Sequence, residues 1–157
     1  QAMRLMGNHF VLGETIEAAL SRARPRYSRH QRYSFDMLGE GARTAEDAVR
    51  YFDSYASAIE AIGRTANDRS LPDRPGISVK LSALHPRFEA VSRDLVLTEL
   101  VPKVLELAHK ARDCGLDLTV DAEEAGRVRD AVDGTDLDRV DVVLGDLLGD
   151  GGQHSVT

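Results

Sequence analysis

Three β-favouring runs, each carrying one charged side chain at its end, divide this chain, and stretches of helical periodicity lie between them. The runs are Arg32-Tyr-Ser-Phe-Asp-Met-Leu38, which leads to Asp36, Gly76-Ile-Ser-Val-Lys-Leu-Ser82, which leads to Lys80, and Leu116-Asp-Leu-Thr-Val-Asp-Ala122, which leads to Asp121. Ile77, Val79 and Leu81 suit a buried strand, whereas Lys80 among them brings a charge that such a position excludes unless an anion answers it. Strands alternating with helices predict a parallel sheet of crossover units, and in such sheets the C-terminal strand ends converge on one face. Asp36, Lys80 and Asp121 are therefore expected to share one pocket.

The intervening segments supply the helices. Residues 4–23 read as a helical lead-in, with Phe10, Ile16, Ala19 and Leu20 at near-helical spacing and Gly13-Glu14-Thr15 as a fresh start. Residues 22–32 are arginine-rich, interrupted by Pro25 and without apolar periodicity. They read as a solvated linker, the alternative being a phosphate or cofactor contact. Thr44 with Asp47 resembles a helix N-cap and an acidic first turn. From there to about residue 66, Ala48, Tyr51, Phe52, Tyr55, Ile59 and Ile62 form one stripe, read as core against a sheet rather than as a cofactor box. His85 before Pro86 cannot continue a helix. A second long helix is expected over residues 94–112 on Leu95, Leu100, Val104, Leu107, Ala108 and Ala111. Pro102 inside it implies a kink or a late start, and Gly115 ends it.

Three such units do not close a barrel. An eight-unit barrel takes roughly 250 residues, so if these α/β units belong to a (β/α)8 TIM-type barrel, the 157 residues here hold only its first part, an incomplete barrel. About three βα units follow a helical segment. The expected division is a lead-in and basic linker over 1–31, the partial barrel over 32–128, and a flexible tail over 129–157 in which Val140-Asp-Val-Val-Leu144 has the composition of a short strand. Gln1 in place of an initiator methionine suggests a chain cut from something longer. A net charge of −6 argues against a general nucleic-acid surface, which needs a basic excess. Cys114, the sole cysteine, rules out an intrachain disulfide and reads as helix-end packing. With no signal-peptide pattern and no apolar run near the roughly 20 residues that span a bilayer, a soluble cytoplasmic protein is expected.

The charged strand ends carry the chemistry. Lys80 can snorkel into water, form a Schiff base, or hold a substrate carboxylate as a point charge. Asp36 and Asp121 stabilise the ammonium and so favour anion recognition over a neutral nucleophile. Asp121-Ala-Glu-Glu124 puts three carboxylates in four residues, which suits a magnesium or calcium ion, but Glu123 and Glu124 also stand where acidic residues favour a helix start. His85 reads as a turn or packing residue rather than a metal ligand, and no glycine-rich phosphate loop is present.

The segments Arg32-Tyr-Ser-Phe-Asp-Met-Leu-Gly-Glu40, Pro75-Gly-Ile-Ser-Val-Lys-Leu-Ser-Ala-Leu-His-Pro-Arg87 and Val120-Asp-Ala-Glu-Glu-Ala125, in this order, resemble the proline dehydrogenase domain of the bacterial bifunctional proline utilisation flavoenzymes. Met3-Arg-Leu-Met-Gly7 and Phe10-Val-Leu-Gly-Glu-Thr-Ile16 look like the helical segment before the barrel, and the resemblance covers about residues 2–128. It implies a distorted (β/α)8 barrel that holds FAD and oxidises L-proline to Δ1-pyrroline-5-carboxylate by hydride transfer. It further implies that Lys80 helps hold the proline carboxylate, that Asp36 and Asp121 line the same pocket, and that Asp121 and Ala122 approach the flavin. A peripheral membrane or quinone link through a longer protein is implied as well. In the family, later strands supply most flavin contacts and the last barrel helix supplies two arginines that clamp the carboxylate, and beyond Val128 the likeness fades. A truncated, inactive fragment is the resulting expectation. A lysine-dependent aldolase or carboxylate-metal lyase, and a non-catalytic module pairing through its sheet edge, are the alternatives.

Overall fold

The computed structural model describes residues 12–23, 33–37, 41–65, 74–88, 93–121 and 124. In chain order these form α1 (Ile16–Ala23), β1 (Ser34–Asp36), α2 (Ala45–Thr65), β2 (Gly76–Val79), a single helical turn α3 (Leu81–Leu84), α4 (Arg93–Leu95) running into a π-helical turn (Val96–Leu100), α5 (Val101–Asp113) and β3 (Leu118–Val120). Arg22 and Ala23, expected to open the basic linker, instead end α1, with Ala23 buried; residues 4–11 of the expected lead-in, residues 24–32 of the linker, Ala122, Glu123 and the tail after residue 124 lie outside the described residues.

The strands form a parallel sheet in the order β1-β2-β3. Its register sorts the side chains into rows. Phe35, Ile77 and Leu118 stand side by side and are buried, while Asp36, Ser78 and Thr119, one position on, form a polar row. Side chains alternate between the two faces of a strand, so one face is apolar and the other polar. α2 and α5 cover the apolar face, packing on each other and on β2 and β3, and α1 lies against α2. Tyr55, Ile59, Ile62, Ile77, Leu84, Leu100 and Leu107 are fully buried at the centre of this core.

Local chemistry explains the helix ends. Thr15 caps α1, its hydroxyl accepting the Ala18 N–H at 3.2 Å. At the start of α2 the Thr44 hydroxyl accepts the Asp47 N–H at 3.0 Å, and the Asp47 carboxylate accepts the Thr44 N–H at 3.0 Å and the Arg43 N–H at 3.2 Å. This is a reciprocal capping box with aspartate as its acid. Ala48, Tyr55, Ile59 and Ile62 of the expected stripe are buried, and Tyr51 and Phe52 are half-buried beside them. Pro102 falls in the first turn of α5, where its missing N–H leaves no gap, and the wider π-helical turn precedes it. At the other end, Gly115 at φ +65° donates to Arg112 O and Leu116 donates to Ala111 O, the two bonds of a Schellman motif. A Cβ on Gly115 would also strike the Arg74 guanidinium, which donates to the carbonyls of Cys114 and Gly115.

The cap on α2 carries a pH dependence. The Arg50 guanidinium, followed by the Thr44 and Arg43 groups, holds the Asp47 carboxyl below its usual value. A lowered folded-state pKa contributes stability above the unfolded value, and that contribution disappears as pH falls through the folded one. Acidification below the usual carboxylate range is therefore expected to loosen the first turn of α2. Amide hydrogen exchange at Arg43 and Thr44 measures this, and in Asp47→Asn the acid step at those two amides disappears.

Candidate functional site

All three charged residues sit at C-terminal ends of adjacent strands. Asp36 closes β1, Lys80 follows β2 directly, and Asp121 follows β3, its N–H continuing the parallel ladder to Val79 O at 3.1 Å. Lys80 retains extended backbone, with φ −92° and ψ 123°, so its side chain stays on the same face as Ser78 and hence as the polar row. Its ammonium lies 3.7 Å from Asp36 Oδ2, both groups partly open to solvent. The parallel sheet thus puts Asp36, Lys80 and Asp121 at neighbouring strand ends, with Lys80 and Asp36 in contact. Ala122, expected beside them, lies outside the described residues.

The chain after Lys80 departs from the sequence expectation. Leu81 was expected to extend the strand; it is buried, but it opens α3 instead. The cause is a competing acceptor. Glu124 Oε2, arriving from beyond β3, accepts the Leu81 N–H at 2.6 Å and the Ser82 N–H at 3.3 Å, so these amides have no need of a ladder partner. Apolar alternation cannot distinguish a further strand residue from the first residue of a buried helical turn. α3 is further pinned by Ala42, whose N–H donates to Ser82 O at 2.9 Å, and by Lys103, whose ammonium donates to Leu84 O at 2.8 Å. The segments that follow β1, β2 and β3 therefore meet at this turn.

Tyr55 completes the frame from below. Its hydroxyl oxygen accepts the Lys80 N–H at 3.1 Å, and the ring is almost wholly buried in α2. Burial pushes its phenol up to about 12, so the group works as a neutral phenol. The sequence pattern marks Tyr55 as core and Glu124 as a helix start, but carries no signal for their bonds to the Lys80 junction, because each partner lies far away along the chain.

His85 closes the turn, with its backbone extended at φ −149° as the following proline requires. Its ring is buried, Nε2 lies 3.0 Å from Glu99 Oε2, and Nδ1 accepts the Arg87 N–H at 3.1 Å. Nε2 is thus the donor to Glu99, and both ring nitrogens are occupied by the turn itself. Among the described residues no group of three His, Cys, Asp or Glu side chains could hold a metal ion. A cleft of about 1420 Å³ runs beside β1 between α1 and α2; Asp36 lies on its wall, but Lys80 and Asp121 do not, so it is distinct from the strand-end cluster.

The family model described as proline dehydrogenase matches residues 19–137. The bifunctional protein PutA of Salmonella typhimurium is 51% identical over 132 residues, 84% of this chain and 10% of that protein. The PutA of Rhizobium meliloti is 45% identical over 150 residues, 94% of this chain and 11% of that protein. A crystal structure of a Proline Utilization A mutant from Bradyrhizobium japonicum is similar at a TM-score of 0.67 and 62% identity, over 95% of this chain and 15% of that one. The chain thus spans about a tenth of the length of the curated relatives it matches.

Proposed function

This chain belongs to the proline dehydrogenase family, a family of flavoenzymes, and from that premise we propose that it forms the substrate-carboxylate wall of an FAD-dependent L-proline dehydrogenase. The observation that carries the reading is the Lys80 ammonium, 3.7 Å from Asp36 on the polar face, away from the core. An ammonium has three donors. Asp36 engages one side of it, and a carboxylate-bearing substrate takes another as a point-charge contact. Asp36 and Asp121 set a negative border, which discourages a bare anion and suits a substrate that also carries a positive amine.

The finer architecture follows the same reading. We take β1, β2 and β3 with their helices as the first three units of a (β/α)8 barrel, with the polar row Asp36, Ser78 and Thr119 turned to the lumen. Bulky branched side chains usually fill such an interior. Polar and small residues there leave space for a ligand, and the flanking cleft beside β1 offers room for a closing strand on that edge. The same polar face fits one wall of a flavin site, with Asp121 and Ala122 as the residues nearest to it. When bound, FAD supplies the hydride acceptor that converts L-proline to Δ1-pyrroline-5-carboxylate. This chain's own residues bind the carboxylate, orient the ring and keep the pocket acidic at its rim.

The test uses the flavin-loaded protein that carries this segment. L-Proline is expected to bleach the flavin absorbance anaerobically, whereas pyrrolidine, the same ring without its carboxylate, fails to do so at equal concentration. Equal bleaching by both compounds would remove the carboxylate contact from the mechanism, and no bleaching by L-proline would remove the dehydrogenase assignment.

A further inference from the structure

Three successive amides at the exit from β2 are satisfied by side chains from distant parts of the chain. The Lys80 N–H goes to the Tyr55 hydroxyl, and the Leu81 and Ser82 N–H groups go to one oxygen of Glu124. Backbone ladder bonds stop here, so these two side chains decide where the strand ends and in which direction Lys80 leaves it. We propose that Glu124, with Tyr55 opposite, is a positioning residue that fixes Lys80 for its contact with the substrate carboxylate. The inference rests on the assignment of Lys80 made above.

The geometry separates this role from a general contribution to stability. α3 keeps other anchors when Glu124 is removed: Leu81 and Leu84 stay in the core, Ala42 still donates to Ser82 O, and Lys103 still donates to Leu84 O. Losing the carboxylate therefore frees two part-buried N–H groups at the junction while the turn as a whole stays docked. Orphaned donors recover partners by shifting the backbone, and that shift moves the Cα of the neighbouring Lys80. Misplacement of a binding group by a fraction of an ångström lowers affinity without altering the reacting centre. The acceptor matters here more than the charge, because a glutamine carbonyl at the same place also has two lone pairs for the two N–H groups.

Steady-state kinetics on the flavin-loaded protein decide the matter. Glu124→Ala is expected to raise KM for L-proline roughly tenfold, the effect of orphaning buried donors, with kcat and bound flavin retained to within about a factor of two. Glu124→Gln recovers most of the wild-type KM. In the double variant Lys80→Ala with Glu124→Ala, KM is no higher than in Lys80→Ala alone, because Glu124 has no route to the substrate except through Lys80. An unchanged KM in Glu124→Ala, additive effects in the double variant, or a Glu124→Gln as impaired as the alanine variant would overturn the proposal. Should Glu124→Ala fail to accumulate, Tyr55→Phe removes the acceptor of the Lys80 N–H and carries the same expectation of raised KM and non-additivity with Lys80→Ala. An unchanged KM in Lys80→Ala itself overturns the underlying assignment. A raised KM there with none in Glu124→Ala and Tyr55→Phe overturns the positioning role alone.

Discussion

Replacement of Lys80 by alanine is expected to raise KM for L-proline roughly 100-fold, the loss of a charge-assisted hydrogen bond worth about 1.5–3 kcal/mol, while leaving the protein folded. The two halves of this expectation come from one geometry. Lys80 and Asp36 are 29% and 42% exposed, and an ion pair at 3.7 Å between such groups contributes about 0–1 kcal/mol to stability. Strand end, core and turn are held by other contacts, so removal of the ammonium leaves them in place. Under the proposed function, a substrate carboxylate on Lys80 sits away from the water that screens the Lys80–Asp36 pair, and the same charge is worth more there. Steady-state kinetics and a denaturation midpoint measured on one variant test both halves. A large fall in the midpoint with KM unchanged would mark Lys80 as structural.

Tyr55→Ala is expected to produce the opposite profile, a loss of about 3–5 kcal/mol typical of emptying a large buried aromatic site. The ring is 1% exposed, lies in the cluster that joins α2 to the sheet, and its hydroxyl is the acceptor for the Lys80 N–H. Alanine leaves both a cavity and an orphaned donor. Phe52, on the same stripe but only half-buried, has less to lose. Denaturant unfolding of Tyr55→Ala beside Phe52→Ala ranks the two, and equal midpoints would contradict the packing described for α2.

The helices were legible because their signals are local. Thr44 and Asp47 lie three residues apart and cap each other; Gly115 is needed for a backbone turn that two neighbouring carbonyls complete; Pro102 opens α5 where its lack of an N–H does no harm. Each of these is decided within about one turn of chain. The parallel order of the strands followed from the helices between them, and with it the placement of Asp36, Lys80 and Asp121 at neighbouring ends. What could not be read was decided at long range. Leu81 looks like a strand residue until Glu124 is brought to its amide, and Tyr55 looks like one more aromatic of a core stripe until its hydroxyl meets the Lys80 N–H. A periodic pattern reports which side of an element is apolar, but it is silent about which polar tip reaches which backbone group.

The bond between Glu124 and Leu81 bridges 43 residues, and this has a consequence for the order of events during synthesis. β1, α2 and β2 can assemble as soon as they leave the ribosome, since each lies close in sequence to the next. The junction at Lys80 cannot latch until residue 124 has emerged and β3 has docked, because loops of this length close only when later contacts reward the closure. Lys80 is thus set in place late, after the core beneath it. The Leu81 amide then serves as a clock: in pulse-labelled refolding it should gain protection with β3 and not with β2.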